Sequence, residues 1–115
     1  MSIVLYGIPN CDTIKKAKKF LQQNEIEFAF HDYRKDGLTP QMLDAFVEQL
    51  GWEAVLNKRG TTFRALSDEQ KQNLNETTAK QHMLESPAMI KRPILDVDST
   101  LHVGFKADQY QEIFK

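Results

Sequence analysis

One short stretch constrains the fold more than any other: an apolar run that stops at a glycine and a proline and is followed at once by a helical pattern. Residues 3–6 carry no charge, which is typical of a strand buried on both faces. Gly7 and Pro9 then favour a tight loop, and Cys11, the only cysteine in the 115-residue sequence, opens the helix. The sequence therefore predicts a strand, a loop and a helix whose first turn carries a thiol.

The start of a helix is a favourable position for a thiolate. Backbone N–H groups there lack partners within the helix, and together with the positive end of the macrodipole they stabilise a negative sulfur. We predict that Cys11 is a nucleophile, although a lone cysteine out of context is more often a small buried apolar residue. A single cysteine also excludes an internal disulfide, a thiolate-rich zinc site and a resolving thiol in the same chain.

A strand, a helix and a second strand are predicted over the first thirty residues. From residue 12 to about residue 23 apolar side chains recur at helical spacing. Ile26, Phe28 and Phe30 then alternate with other residues, as on a strand with one apolar face. So short a crossover favours parallel strands. The helix also carries four lysines, interpreted mainly as a solvated face: Lys15, Lys16, Lys18 and Lys19.

A second long helix is predicted after a loop at residues 34–38. Thr39 is a favourable N-cap, and Pro40 suits the first helical position because its missing N–H needs no partner there. Gly51 supplies the C-cap. A further turn of helix is predicted at residues 52–56.

The following stretch is predicted to be a basic loop and two short helices. Residues 57–64 are polar and basic, which indicates a loop. Ser67 and Gln70 have the spacing of a capping box, and residues 76–85 carry another helical pattern. We therefore predict a helical insertion over residues 39–90, between the second and third strands.

The end of the chain predicts a β-hairpin and a last helix. Residues 94–97 and 100–103 are short strand patterns joined by a two-residue turn, and apolar residues recur at helical spacing from 107 to 114. The complete order is strand, helix, strand, helical insertion, strand, strand, helix, which is the α/β thioredoxin-like topology. We predict a single thioredoxin-like domain over residues 1–115.

Charge and hydropathy limit the classes of partner. The formal net charge is -1 and the pI is near 6.3, so we predict no direct contact with nucleic acid or a membrane. The sequence contains no secretory signal and no apolar stretch long enough to span a bilayer, which leads us to expect a cytoplasmic protein. His31, His82 and His102 are too scattered to predict a metal site.

Four segments together resemble the arsenate reductase (ArsC)/Spx family. They are residues 6–13 around Cys11, the basic loop at 56–66, the Lys-Arg-Pro-Ile-Leu sequence at 91–95 and residues 103–105. The resemblance covers the whole chain and is greatest to the YffB-type subgroup, which is described as glutathione-dependent thiol reductases. The combination of segments is much more specific than any one of them.

The resemblance implies a thioredoxin-like fold in which Cys11 attacks the substrate and Arg92 holds an anionic group beside it. It also implies a cis peptide bond between Arg92 and Pro93. The function implied for Arg92 agrees with its chemistry, because a guanidinium can stabilise a thiolate and can pair with a carboxylate. Further residues expected near the sulfur or a bound glutathione are Asn10, Asp12, Thr13, Lys58, Arg59, Arg64, Pro93 and Lys106.

The activity expected from this resemblance is thiol oxidoreduction, with glutathione as a co-substrate and no permanently bound cofactor. Because the chain has no second cysteine, a mixed disulfide on Cys11 must be resolved by external glutathione or by a glutaredoxin. Turnover is therefore expected to require an added thiol.

Arsenate reduction is an alternative that the sequence disfavours. The loop arginine of arsenate reductases aligns with Asn57, which Lys58 and Arg59 follow, and their arginine near the end of the chain aligns with Phe105, beside Lys106. A site of three guanidinium groups is therefore incomplete, because lysine does not reproduce bidentate oxyanion binding.

A regulatory function is the other alternative. Spx-type regulators bind the α subunit of RNA polymerase and often carry a Cys-x-x-Cys switch, whose second cysteine position is Ile14 in this chain. Gly51 aligns with a glycine that such regulators use to contact the polymerase, and Arg59 aligns with their loop arginine. The helix C-cap already explains Gly51, so we treat polymerase binding as the minor hypothesis.

Overall fold

The computed structural model describes residues 2–9 and 11–114 of the chain. They fall into two compact units, one formed by the residues up to Asp36 together with those from Arg92 onward, and the other by Gly37–Lys91. The sheet lies in the first unit, and the second unit is mainly helical. Asn10, which the family resemblance places near the sulfur, lies outside the described residues.

The described elements follow the predicted order. The strands are β1 (Ile3–Gly7), β2 (Ala29–Asp32), β3 (Ile94–Val97) and β4 (Thr100–Val103). The helices are α1 (Asp12–Gln23), α2 (Tyr33–Asp36), α3 (Pro40–Leu50), α4 (Trp52–Val55), α5 (Thr61–Arg64), α6 (Asp68–Gln72), α7 (Glu76–Glu85) and α8 (Ala107–Ile113), with a 3-10 turn at Pro87–Met89. None of these helices has the combined length and apolar character that crossing a membrane requires.

The strands form one sheet in the order β2-β1-β3-β4. β1 and β2 are parallel, whereas β1 with β3 and β3 with β4 are antiparallel. The parallel pair follows from the short crossover through α1, and the β3–β4 hairpin turns at Asp98 and Ser99, both with positive φ. The predicted thioredoxin-like topology is confirmed.

Side chains of β1 point alternately to the two faces of the sheet, and those on one face pack against α1 and α8. Ile3 and Leu5 belong to the buried core cluster of this unit, with the others contributed by α1, β3 and α8: Ala17, Leu21, Leu95 and Tyr110. A Cβ on Gly7 would collide with the buried Ile14 side chain of α1. Since Gly7 is glycine, α1 can pack closely against the last residue of the strand, four positions before Cys11.

The predicted position of the second strand was partly wrong. The expected alternation began at Ile26, but the hydrogen-bonded strand begins only at Ala29. Ile26, Phe28 and Phe30 nevertheless all pack against the core cluster, as their apolar pattern indicates. The pattern correctly identified the buried face, whereas hydrogen bonding to β1 determines where the strand begins.

The predicted loop at residues 34–38 was also wrong in part, because α2 forms there. The Asp32 carboxylate accepts a hydrogen bond from the backbone N–H of Arg34 at 2.9 Å, and Asp36 accepts one from the N–H of Asp32 at 3.1 Å. These local bonds satisfy backbone donors at the start of the turn, and Tyr33 anchors it as a buried residue.

In the second unit, the predicted ends of α3 are confirmed. The Thr39 hydroxyl accepts a hydrogen bond from the N–H of Met42 at 3.2 Å, and Pro40 occupies the first helical position. Gly51 ends the helix at φ +86, a backbone region that favours glycine. Lys80 on α7 forms an ion pair of 2.8 Å with Asp44 on α3, between two exposed or half-exposed side chains.

Other predictions for the second unit have mixed outcomes. The capping box of Ser67 and Gln70 is confirmed, and α7 has the predicted bounds. The basic segment 57–64 is not all loop, because its last four residues form α5. The predicted insertion at 39–90 lies within this unit, and the assignment of the whole chain to one domain stays a prediction.

Candidate active site

Cys11 lies at the N-cap of α1, one residue before the helix begins. Its backbone is extended, with φ -105 and ψ 130, and its carbonyl accepts the first helical hydrogen bond, from the N–H of Lys15, at 3.0 Å. The side chain is partly exposed, so a reagent in solvent has access to the sulfur. A cysteine at an N-cap replaces the Ser, Thr, Asp or Asn side chain that usually accepts hydrogen bonds there.

The surroundings of Cys11 favour the thiolate. Partial burial raises the pKa of the Cys11 thiol, but the backbone N–H groups of Ile14 and Thr13 and the charge and hydrogen bonding of Arg92 lower it. The net effect is a pKa below the ordinary value for cysteine. Both amides belong to the first turn of α1, where the helix itself leaves backbone N–H groups available to a negative sulfur.

Arg92 reaches this position from the far end of the chain because of strand order. β3 runs antiparallel beside β1, with Ile94 opposite Tyr6. Residues just before β3 therefore lie at the same sheet edge as residues just after β1, which places Arg92 near Cys11. The Arg92–Pro93 peptide bond is cis, as the family resemblance predicted, and the Pro93 carbonyl accepts a hydrogen bond from the N–H of Gly104 at 2.8 Å.

Three aromatic rings meet at this edge, an arrangement that was not predicted from the sequence. The ring of Tyr6 lies 5.0 Å from that of His31 and 6.3 Å from that of Tyr33. The Tyr33 hydroxyl is buried with no hydrogen-bond partner among the described residues; burial and Tyr6 raise its pKa, while the nearby Arg92 charge opposes the shift. The alternation of β1 was the available signal, because Tyr6 must point away from the face that carries Ile3 and Leu5.

The other predicted site residues of the first unit have distinct positions. Asp12 is the exposed first residue of α1, and half-buried Thr13 directs its N–H toward the sulfur. Lys106 is the exposed N-cap of α8. Phe105, which aligns with an arginine of arsenate reductases, packs edge-on against Tyr110 with ring centroids 4.7 Å apart. Phe105 therefore packs against the hydrophobic core of this unit.

The predicted basic residues of the loop lie in the second unit. Lys58 has its Nζ 5.9 Å from the ring centroid of Trp52. The N–H of Arg59 donates to the side chain of Asn57 at 3.1 Å, and the Arg64 carbonyl accepts from Lys71 at 3.2 Å. Their contact with glutathione stays a prediction.

Within residues 2–9 and 11–114, no three His, Cys, Asp or Glu side chains are grouped as a metal ion would require. The chemistry available at this edge is that of one activated thiol beside a guanidinium.

Known proteins resemble this chain over nearly its whole length. The ArsC family model matches residues 6–113. An uncharacterized protein of Haemophilus influenzae is 46% identical over 112 residues, covering 97% of this chain and 98% of the relative. The solved structure of the YFFB (PA3664) protein has 44% identity and a TM-score of 0.92, and the match covers 96% of this chain and 97% of that one. The global transcriptional regulator Spx of Lactiplantibacillus plantarum is 27% identical over 110 residues, covering 93% of this chain and 82% of the regulator.

Proposed function

The chain belongs to the ArsC family, and on that premise we propose that it is a glutathione-linked thiol oxidoreductase whose nucleophile is the Cys11 thiolate. The observation that carries the proposal is the position of Cys11. Its partly exposed thiol lies at a helix N-cap, beside two backbone amides and Arg92, and these groups lower its pKa. A lowered pKa increases the thiolate fraction near neutral pH, and the thiolate is the attacking species.

The proposed reaction transfers two electrons from glutathione to a mixed disulfide. The Cys11 thiolate attacks the glutathionyl sulfur of a disulfide R–S–S–G; a Cys11–glutathione disulfide forms, and R–S⁻ leaves with the electron pair and takes a proton. A second glutathione, as thiolate, attacks the glutathionyl sulfur of that intermediate. The products are oxidised glutathione and the free Cys11 thiolate.

Arg92 has two functions in this proposal. Its charge stabilises the Cys11 thiolate before attack, and its planar donors can pair with a carboxylate of the glutathionyl group. The amides of Thr13 and Ile14 assist the first function only, because they are directed at the sulfur. Loss of Arg92 should therefore affect both thiol reactivity and the binding of anionic substrates.

The test is reduction of the mixed disulfide between 2-mercaptoethanol and glutathione, with oxidised glutathione measured through a coupled glutathione reductase. We expect turnover by the wild type with added glutathione, and a single glutathionyl adduct on Cys11 by mass spectrometry. Arg92→Ala should lower kcat/KM by tenfold or more, because a tenfold loss corresponds to roughly the free energy of one charge-assisted hydrogen bond. Arg34→Ala, which removes an exposed arginine of the same unit, is the matched control and should change little. Turnover by Cys11→Ser at the wild-type rate would contradict the proposal.

A second candidate is a transcriptional regulator, favoured by the 27% identity to Spx over 93% of this chain. This hypothesis predicts binding to the RNA polymerase α subunit that survives Cys11→Ser and fails in Gly51→Arg. Gly37→Arg is a matched control, because Gly37 and Gly51 both have φ near +90 and open space where a Cβ would lie. Equal binding by the two arginine variants would contradict a role for the Gly51 surface.

Arsenate reduction is the weaker possibility. The family name favours it, but Asn57 and Phe105 stand where the resemblance expects guanidinium groups. We expect little or no turnover with arsenate, glutathione and glutaredoxin.

A further inference from the structure

A concave surface lies at the opposite end of β1 from Cys11. It is a groove of about 470 Å³ whose apolar walls come from Ile3, Phe20, Ile26 and Phe114. Ile3 begins β1 and Cys11 follows its other end, so at least about 13 Å of strand separates the two sites. The volume lies within the range of small-ligand sites. No step of the reaction proposed for Cys11 uses this groove.

Acidic side chains line this groove. Glu25 and Glu27 belong to its lining, and both are exposed. Among its described lining residues there is no lysine, arginine or histidine. Two carboxylates beside apolar walls favour a ligand that carries a positive charge on an apolar body.

The aromatic walls suit the same ligand. Phe20 and Phe114 both pack edge-on against buried Tyr110, with ring centroids 5.6 Å and 6.3 Å from the Tyr110 ring. Tyr110 thus helps to hold both rings in place. Phenylalanine faces attract organic ammonium groups through their quadrupole, particularly when a carboxylate is near.

Glu25 stands where local stability favours a different residue. The N–H of Ile26 donates a hydrogen bond to the carbonyl of Leu21 at 2.9 Å, and the N–H of Glu25 donates one to the carbonyl of Gln22 at 3.1 Å. This pattern is a Schellman motif, and its left-handed position is usually glycine. Here Glu25 occupies it with φ +56. Local stability alone would favour glycine at this position, so the Glu25 carboxylate is placed at the lip of the groove at a cost in stability.

We propose that this groove binds a small organic ammonium compound, with the cation between the carboxylates of Glu25 and Glu27 and the apolar body against Phe20 and Phe114. The ligand class is an amine that is protonated at neutral pH and carries an aromatic or aliphatic group. Binding there does not require the Cys11 thiol, since the two sites lie at opposite ends of the sheet.

The test uses 2-phenylethylammonium as the probe and 2-phenylethanol as its neutral analogue of equal size. Titration of the ¹⁵N-labelled protein should give saturable amide shifts at Ile3, Ile26 and Phe114, with a Kd of about 1 mM or tighter. The alcohol should bind about tenfold more weakly, and raised ionic strength should weaken only the cation.

Variants of the full chain assign the binding to the two carboxylates. The double variant Glu25→Gln/Glu27→Gln keeps the side-chain sizes and should raise the Kd about tenfold. Glu48→Gln, which alters an exposed glutamate of α3, is the matched control and should leave the Kd within about twofold, as should Cys11→Ser. Absence of saturable shifts, equal affinity for the alcohol, or an unchanged Kd in the double variant would each overturn the proposal.

Discussion

Helices α1 and α3 have nearly the same length, 12 and 11 residues, but their ends are built differently. α3 begins with a Thr39 cap and ends at Gly51, both residues that local stability favours. α1 begins with Cys11, which makes no cap hydrogen bond to the described residues of the helix, and ends before Glu25 in a left-handed conformation. The preferred residues stand at both ends of α3. In α1 a thiol occupies the N-cap and a glutamate the left-handed position, although the Asn24 side chain still donates to the Phe20 carbonyl at 2.8 Å.

The difference indicates where the chain favours chemistry over stability. At the start of α1 the N–H groups of Thr13 and Ile14 lower the pKa of Cys11, whereas at the start of α3 the N–H of Met42 donates to the Thr39 hydroxyl. At the end of α1 a carboxylate borders a groove. Substitutions that make the ends of α1 resemble those of α3 should therefore raise stability and lower function.

The largest expected effect is on activity. Cys11→Ser removes the nucleophile and should reduce turnover of the glutathione mixed disulfide by at least about a thousandfold, because a serine hydroxyl at neutral pH is a very weak nucleophile without a base. The coupled glutathione reductase assay measures this loss. Retained turnover would mean that the chemistry occurs elsewhere.

The next effect concerns how α1 is held against the sheet. Gly7→Ala places a methyl group into the buried Ile14 side chain and should destabilise the protein by about 1 to 3 kcal/mol, the range for overpacked cores. Chemical denaturation measures the free energy of unfolding. Unchanged stability would show that α1 can shift away from β1 without cost.

The N-terminal caps should respond in opposite directions to substitution. Thr39→Ala removes the hydrogen bond to Met42 and should destabilise the protein by about 1 kcal/mol. Cys11→Ser supplies a preferred cap and should stabilise it by a few tenths of a kcal/mol to about 1 kcal/mol at low pH. Denaturant midpoints of the two variants measure both effects.

The advantage of the serine variant should shrink as pH rises. The pKa of Cys11 is lower in the folded protein than in the unfolded chain, so the thiolate contributes stability that is present above the unfolded pKa. That contribution is lost as pH falls through the folded pKa. A pH-independent stability difference between the wild type and Cys11→Ser would contradict the lowered pKa.

The smallest effect is at the other end of α1. Glu25→Gly relieves the left-handed backbone and should stabilise the protein by up to about 1 kcal/mol, while weakening the binding of 2-phenylethylammonium. Thermal denaturation and the same amide titration measure the two changes. If Glu25→Gly is less stable than the wild type and binds 2-phenylethylammonium equally well, the end of α1 does not favour binding over stability.

What the sequence could predict depends on how local the cause is. The caps of α3 and the Ser67–Gln70 box were predictable because a few neighbouring residues determine them. The start of β2 at Ala29 was not, since pairing with β1 decides it. Likewise, α2 depends on the carboxylates of Asp32 and Asp36 as much as on any periodic pattern.

In the candidate site, too, features with a local cause were predictable and features that depend on strand pairing were not. The position of Cys11 at a helix start was evident from the strand, loop and helix pattern. The approach of Arg92 depends on β3 lying beside β1, so the residues alone could not establish it and the family resemblance had to suggest it. Tyr6 and Tyr33 were missed because their meeting requires the register of two strands and the turn that follows.

The most direct test of the account is the pKa of Cys11, obtained from the pH dependence of its alkylation rate by iodoacetamide. We predict that the pKa of the wild-type thiol lies below the ordinary value of cysteine and that Arg92→Ala shifts it upward, while the matched Arg34→Ala variant behaves as the wild type does. A wild-type pKa near 8.5 that Arg92→Ala leaves unchanged would contradict the claim that this edge of the sheet activates the thiol.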